Sequence, residues 1–181
     1  MNYPRYWVDM SDEMNICPQG IGHIDLPYEQ AYDKMVIGDL LEVGCGPGRL
    51  CSLFSPAKYK GVDINKYWIE KAKEAHPEYE FEVIAPFQKL EHYPTVLLHT
   101  VLLHIPDHLL QLFLDTLKYE RLIVTEIMDR RFRQTSPGYN ISNQRDVLEY
   151  DEILGDPVMT HAFHVERYNA YINVRAYDRD L

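Results

Sequence analysis

Leu40-Leu41-Glu42-Val43-Gly44-Cys45-Gly46-Pro47-Gly48-Arg49-Leu50, LLEVGCGPGRL, is the stretch that decides the fold. An apolar run ending in an acid meets three glycines at alternate positions. Leu40–Val43 reads as a buried strand, and a strand that ends in a bare turn is the usual place to hold a nucleotide-like ligand. Glycine allows positive φ and removes the Cβ that would keep a ligand away from the backbone. The spacing differs from the dinucleotide pattern GxGxxG, whose third glycine would fall where Arg49 stands. No Gly-Lys-Ser/Thr follows, so the turn is not a P-loop either.

The ligand can be narrowed further from its surroundings. Glu42 suits a group carrying positive charge and repels a pyrophosphate. Asp63 ends a second strand (residues 60–64, KGVDI) and can accept both hydroxyls of a ribose. The pair asks for an adenosine-like group joined to something cationic.

Around this centre the chain alternates. Asn65 can cap a helix whose Trp68, Ile69, Ala72 and Ala75 share a face. Residues 79–84 (YEFEVI) read as a third strand and residues 95–102 (TVLLHTVL) as a central fourth. Residues 107–117 form a helix with a stripe of Leu109, Leu110, Phe113, Leu114 and Leu117, and residues 121–127 form a fifth strand. Such alternation implies right-handed crossovers and a parallel sheet. The runs VMTHAFHV and NAYINVRAY are separated by Glu166-Arg167-Tyr168 at most, too short for a crossover helix, so an antiparallel strand is expected there. Residues 1–38 end in a helix, with Pro27 near its first turn and Gly38 after its last.

At 181 residues the chain is expected to be one domain, with residues 1–38 as a helical extension or lid and 39–181 as the core. No run of about 18 apolar residues is present, which argues against a membrane span. The N-terminal sequence lacks a basic-then-apolar signal pattern. Cys17, Cys45 and Cys51 show no CxxC spacing, so neither a zinc site nor a disulfide framework is readable, and a cytoplasmic location is expected. The net charge of −10 weighs against a nucleic-acid partner.

LLEVGCGPGRL, GVDIN and VLLHIPDHLL together resemble the class I S-adenosylmethionine-dependent methyltransferases, over roughly residues 38–128. The resemblance implies a Rossmann-like α/β fold: a seven-stranded, mostly parallel sheet with an antiparallel C-terminal strand and helices on both faces. It implies S-adenosylmethionine as cofactor and S-adenosylhomocysteine as product. Glu42, Gly44, Cys45, Gly46 and Gly48 would surround the methionine part, Asp63 would hold the ribose, and Ile64 would pack on adenine. Ala85, Pro86 and Phe87 would edge the adenine ring. The chain departs from the family after the third strand, where Ile84-Ala85-Pro86 replaces the frequent acid, and at the fourth, where Tyr93-Pro94 stands for Phe-Asp.

Methyl transfer needs donor and acceptor held in line, and a base helps when the acceptor carries a proton. His99 and His104 are the candidate bases; a packed, hydrogen-bonded histidine is the alternative for each. Arg130, Arg131, Arg133 and Arg145 crowd residues 128–146, where they could grip an acceptor's carboxylate or phosphate, or pair with surface acids. Tyr3, Tyr6 and Trp7 could cover the cofactor or staple the N-terminus to the core. The expected activity is methylation of a small molecule. The alternatives are a protein or RNA methyltransferase, a non-catalytic S-adenosylmethionine-binding module, and a nicotinamide oxidoreductase, which Arg49 and Glu42 disfavour.

Overall fold

The computed structural model describes residues 8, 26–132, 143–166 and 169–179. Tyr3, Tyr6, Trp7 and Arg133 lie outside the described residues. Seven strands form one sheet in the order β3-β2-β1-β4-β5-β7-β6. They are β1 (Leu40–Val43), β2 (Tyr59–Asp63), β3 (Glu80–Val83), β4 (His92–His99), β5 (Lys118–Ile127), β6 (Met159–Val165) and β7 (Ala170–Asp178). The first five are parallel to one another. β7 runs antiparallel to both β5 and β6. The expected hairpin is therefore present, with its second strand inserted between β5 and β6.

Among the described residues, four α-helices cover the two faces: α1 (Glu29–Met35), α2 (Lys66–Ala75), α3 (Asp107–Leu114) and α4 (Val147–Leu154). Tyr32 and Met35 of α1 and Ile69 and Ala72 of α2 pack with Leu40, Leu97 and Ile123 on one face. Leu110 and Leu114 of α3 and Tyr150 of α4 pack with Leu41, Val96, Leu98 and Val124 on the other. All four residues of β1 are buried, as a central strand covered on both sides requires.

Local chemistry sets most boundaries. The Asn65 side chain accepts from Trp68 N and starts α2. Ala75, expected on the buried face, is exposed in the last turn. α3 stops at Leu114 instead of running to 117, because the Thr116 hydroxyl donates to Phe113 O at 2.6 Å and tightens the chain into a turn. β4 occupies residues 92–99 instead of 95–102, because Thr100 takes φ +57° and turns the chain out of the sheet. The residues that follow it form a short 3₁₀ turn, Leu102–His104. Not every crossover carries an α-helix. The glycine loop leads only into the 3₁₀ turns Cys51–Leu53 and Pro56–Lys58, and no helix separates β3 from β4.

Candidate active site

The glycine turn leaves β1 at the carboxyl edge of the sheet, beside β2 and β4. Gly44, Gly46 and Gly48 all have positive φ, at 77°, 54° and 78°. Gly44 N and Cys45 N both donate to Val62 O, at 2.8 and 3.1 Å, and so hang the loop from the end of β2. A Cβ added to Gly44 would stand 2.6 Å from Val101 Cγ2, so the loop and the chain after β4 are in direct contact.

Asp63 is the strut of the site. Its Oδ2 accepts from Gly46 N at 2.9 Å and its Oδ1 from Asn65 N at 2.8 Å. Burial raises its pKa, and the backbone N–H groups oppose that rise. An ionised carboxylate has about four acceptor positions, so these backbone donors leave it some capacity for a ligand hydroxyl. The sequence analysis expects Asp63 to hold a ribose; the structure shows it bracing the glycine loop.

Glu42 lies beneath the loop, 3% exposed, and its Oε2 accepts from the Tyr59 hydroxyl at 2.5 Å. Burial pushes its carboxyl up to about 7, against the pull of Tyr59 and of Arg49. A positively charged ligand above the loop would favour its ionised form. The Cys45 side chain is buried in the core with a thiol pKa well above normal, so only the backbone of Cys45 is available to a ligand.

An open, largely apolar cleft adjoins Asp63. Gly44, Asp63, Ile64, Pro86 and Phe87 line it as expected. Ala85 does not; its N–H is taken by Gln88 Oε1 at 3.0 Å, and Gln88 lines the cleft in its place. Val101, Ile105, Phe113 and Thr116 complete the far wall and were not anticipated. Phe113 had been assigned only to the packed stripe of α3. An apolar cleft wall and a core face look alike in sequence.

His99 ends β4, 3% exposed, on the face covered by α1. Its Nδ1 is 2.9 Å from the Tyr32 hydroxyl, which is also 2.9 Å from Thr125 Oγ1 on the neighbouring strand. The Tyr28 ring meets the His99 ring edge-on at 4.9 Å. His104 is half-buried at the close of the 3₁₀ turn.

The arginines separate into two kinds. Arg130 pairs with Glu149 at 2.6 Å and Asp146 at 3.2 Å. Arg131 pairs with Asp129 at 2.5 Å and holds that carboxyl below its usual pKa. Both guanidinium groups are exposed and neutralised locally. Arg145, by contrast, is 1% exposed and donates to Leu102 O, Ile105 O and Asp107 Oδ1 at 3.0, 2.9 and 2.6 Å.

Comparison with known proteins agrees with this geometry. Residues 41–117 match a family model described as a methyltransferase domain. No curated protein matches the chain in sequence. Among solved structures, magnesium protoporphyrin IX methyltransferase from Synechocystis PCC 6803, with bound SAM, is similar at 20% identity and a TM-score of 0.64, over 84% of this chain and 75% of that one. The 1,6-didemethyltoxoflavin-N1-methyltransferase of Burkholderia thailandensis aligns at 15% identity and a TM-score of 0.67, over 94% of this chain and 84% of that one. Geranyl diphosphate C-methyltransferase from Streptomyces coelicolor A3(2) aligns at 14% identity and a TM-score of 0.61, over 84% and 75%.

The chain has the class I methyltransferase fold, and the match over residues 41–117 marks a methyltransferase domain within it. That stretch contains the glycine loop, Asp63 and the cleft.

Proposed function

We propose that the chain is an S-adenosylmethionine-dependent methyltransferase acting on a small molecule. One observation carries the reading: Asp63 braces the glycine loop through Gly46 N at the edge of an apolar cleft that it helps to line. That donor set fits an adenosine whose ribose meets a carboxylate and whose base enters a slot between Ile64 and Phe87. A pyrophosphate would instead meet Glu42 and Asp63, which repel it. The similar solved structures with bound SAM or S-adenosylhomocysteine lend the same support.

When bound, the cofactor supplies an activated methyl group on a sulfonium; this chain supplies position and desolvation. Asp63 and the loop backbone fix the nucleoside end. Glu42 contributes negative potential below the loop, where a cationic ligand compensates its burial. The cleft wall of Val101, Ile105 and Phe113 excludes water from the base.

His99 stays the candidate proton acceptor, with Tyr32 at its Nδ1, but it is buried and lines no part of the cleft, so the packed alternative fits it as well. Arg130 and Arg131 are tied to acids of their own surface, so the anionic acceptor suggested by composition draws no support from them. The similar solved structures act on small molecules (magnesium protoporphyrin IX, 1,6-didemethyltoxoflavin and geranyl diphosphate), which supports a small-molecule acceptor.

The deciding experiment is calorimetry with S-adenosylhomocysteine and with NAD. The expected result is micromolar binding of the first and none of the second. Tighter binding of NAD overturns the reading.

A further inference from the structure

Arg145 is among the largest fully buried side chains of the described residues, and the reading above gives it no role. Besides Tyr150, its hydrogen-bond partners lie on the segment that follows β4. It donates to the carbonyls of Leu102 and Ile105 and to the Asp107 carboxylate that opens α3. Its neighbours reach the same segment. Asn143 N donates to Leu103 O at 2.6 Å, and Gln144 Nε2 donates to Ile127 O at the end of β5, also at 2.6 Å. From the sheet side, Glu126 Oε1 accepts from Leu103 N at 3.0 Å, while its Oε2 accepts from the Tyr150 hydroxyl. The turn over residues 101–105 is thus held from two directions.

That turn is a wall of the cleft. Val101 and Ile105 line it, and Val101 is the residue against which Gly44 packs. A planar guanidinium that spans two carbonyls and a carboxylate fixes direction as well as distance. An ammonium in its place could satisfy only part of the set.

We infer that Arg145 is a positioning residue for the cofactor: it fixes the turn over residues 101–105, and through Val101 that turn sets the glycine loop and the width of the cleft. The inference rests on the proposed cofactor reading. Groups placed in this way matter because a displacement of about 1 Å at a binding centre can cost a hundredfold in function.

The test compares three variants of the full chain: Arg145→Met, Arg145→Lys and, as a control, Arg175→Met. Arg175 is also a buried ion-paired arginine, bonded to both oxygens of Asp151 at 2.6 and 2.7 Å, but it lines no part of the cleft. Thermal melts and S-adenosylhomocysteine calorimetry are run on each, the calorimetry well below the melting temperature. All three variants should melt earlier. Arg145→Met should weaken S-adenosylhomocysteine binding by about tenfold or more, Arg145→Lys by less, and Arg175→Met by under about twofold.

Hydrogen exchange should show faster exchange at the Leu103 and Ile105 amides in the Arg145 variants only. Arg145 variants that bind like wild type while melting earlier would make the residue merely structural and overturn the inference. If Arg145→Met does not fold, the lysine variant decides on the same readouts. A wild-type chain that binds no S-adenosylhomocysteine would refute the cofactor reading instead; the exchange data would then still decide whether Arg145 holds the turn.

Discussion

Replacing Asp63 tests the site most directly, because that carboxylate braces the glycine loop and, in the proposed reading, also holds the ribose. In Asp63→Ala the ligand loses two charge-assisted hydrogen bonds. At roughly 1.5–3 kcal/mol each, less the ordering cost of the ribose, the loss is about 2–4 kcal/mol. That corresponds to a 30- to 700-fold weaker dissociation constant for S-adenosylhomocysteine at roughly 1.4 kcal/mol per tenfold. The same change also orphans Gly46 N and Asn65 N, which are bonded at 2.9 and 2.8 Å. Asp63 is half-buried, so water can partly replace it and the stability loss should stay near 1 kcal/mol. Asp63→Asn separates the two jobs: it keeps one acceptor for the loop but presents an NH₂ donor where the second was. Calorimetry and a thermal melt on each variant read the two effects independently. An unchanged dissociation constant in Asp63→Ala refutes the ribose assignment. A lowered melting temperature without lost affinity leaves Asp63 as a loop strut only.

Two further predictions concern the rest of the site and the core. Tyr32→Phe removes the hydroxyl bonded to His99 Nδ1 and Thr125 Oγ1. If His99 accepts the proton, turnover should fall at least about tenfold and its pH profile should move, with S-adenosylhomocysteine affinity unchanged; an unmoved profile excludes the role. Glu42 and Glu126 are both pushed up to about 7 by burial, against about 4.3 in an unfolded chain. The folded state therefore holds more protons between those values, so this contribution to stability is complete below about 4.3 and is lost as pH rises through about 7. Melting temperatures should be higher at pH 6 than at pH 8, and Glu126→Gln should flatten that slope; an identical slope in the variant would refute the assignment.

The sequence carries most of the nucleoside end of the site and little of the cleft wall, for physical reasons. A positive-φ turn needs glycine, so Gly44, Gly46 and Gly48 announce themselves, and a helix cap needs a short polar side chain, so Asn65 does too. The cleft wall has no such signature. Ile105 and Phe113 obey the same periodicity whether they face a core or a ligand. The expectation that the fourth strand continued to residue 102 failed because nothing in an apolar run marks Thr100 as left-handed. Arg145 was grouped with Arg130 and Arg131 on composition alone. What distinguishes it is a set of partners about forty residues away, Asp107 being 38 positions earlier, and local composition holds no trace of that separation.

The insertion of β7 between β5 and β6 bears on how the chain is made. β5 offers its outer edge, with Leu122, Ile123 and Val124 fully buried in the finished sheet, to a strand that is translated much later. From Ile127 to Asp178 there are 51 residues. Synthesis at roughly 5–20 residues per second leaves that edge waiting about 3–10 s. During the wait β1 to β5 can pair among themselves, but β6 cannot add on its own, since among the described residues it pairs with β7 alone. The hairpin must arrive as a unit. Until it does, the nascent chain carries an open apolar strand edge of the kind that pairs with other chains, and the demand for chaperone protection falls in that interval.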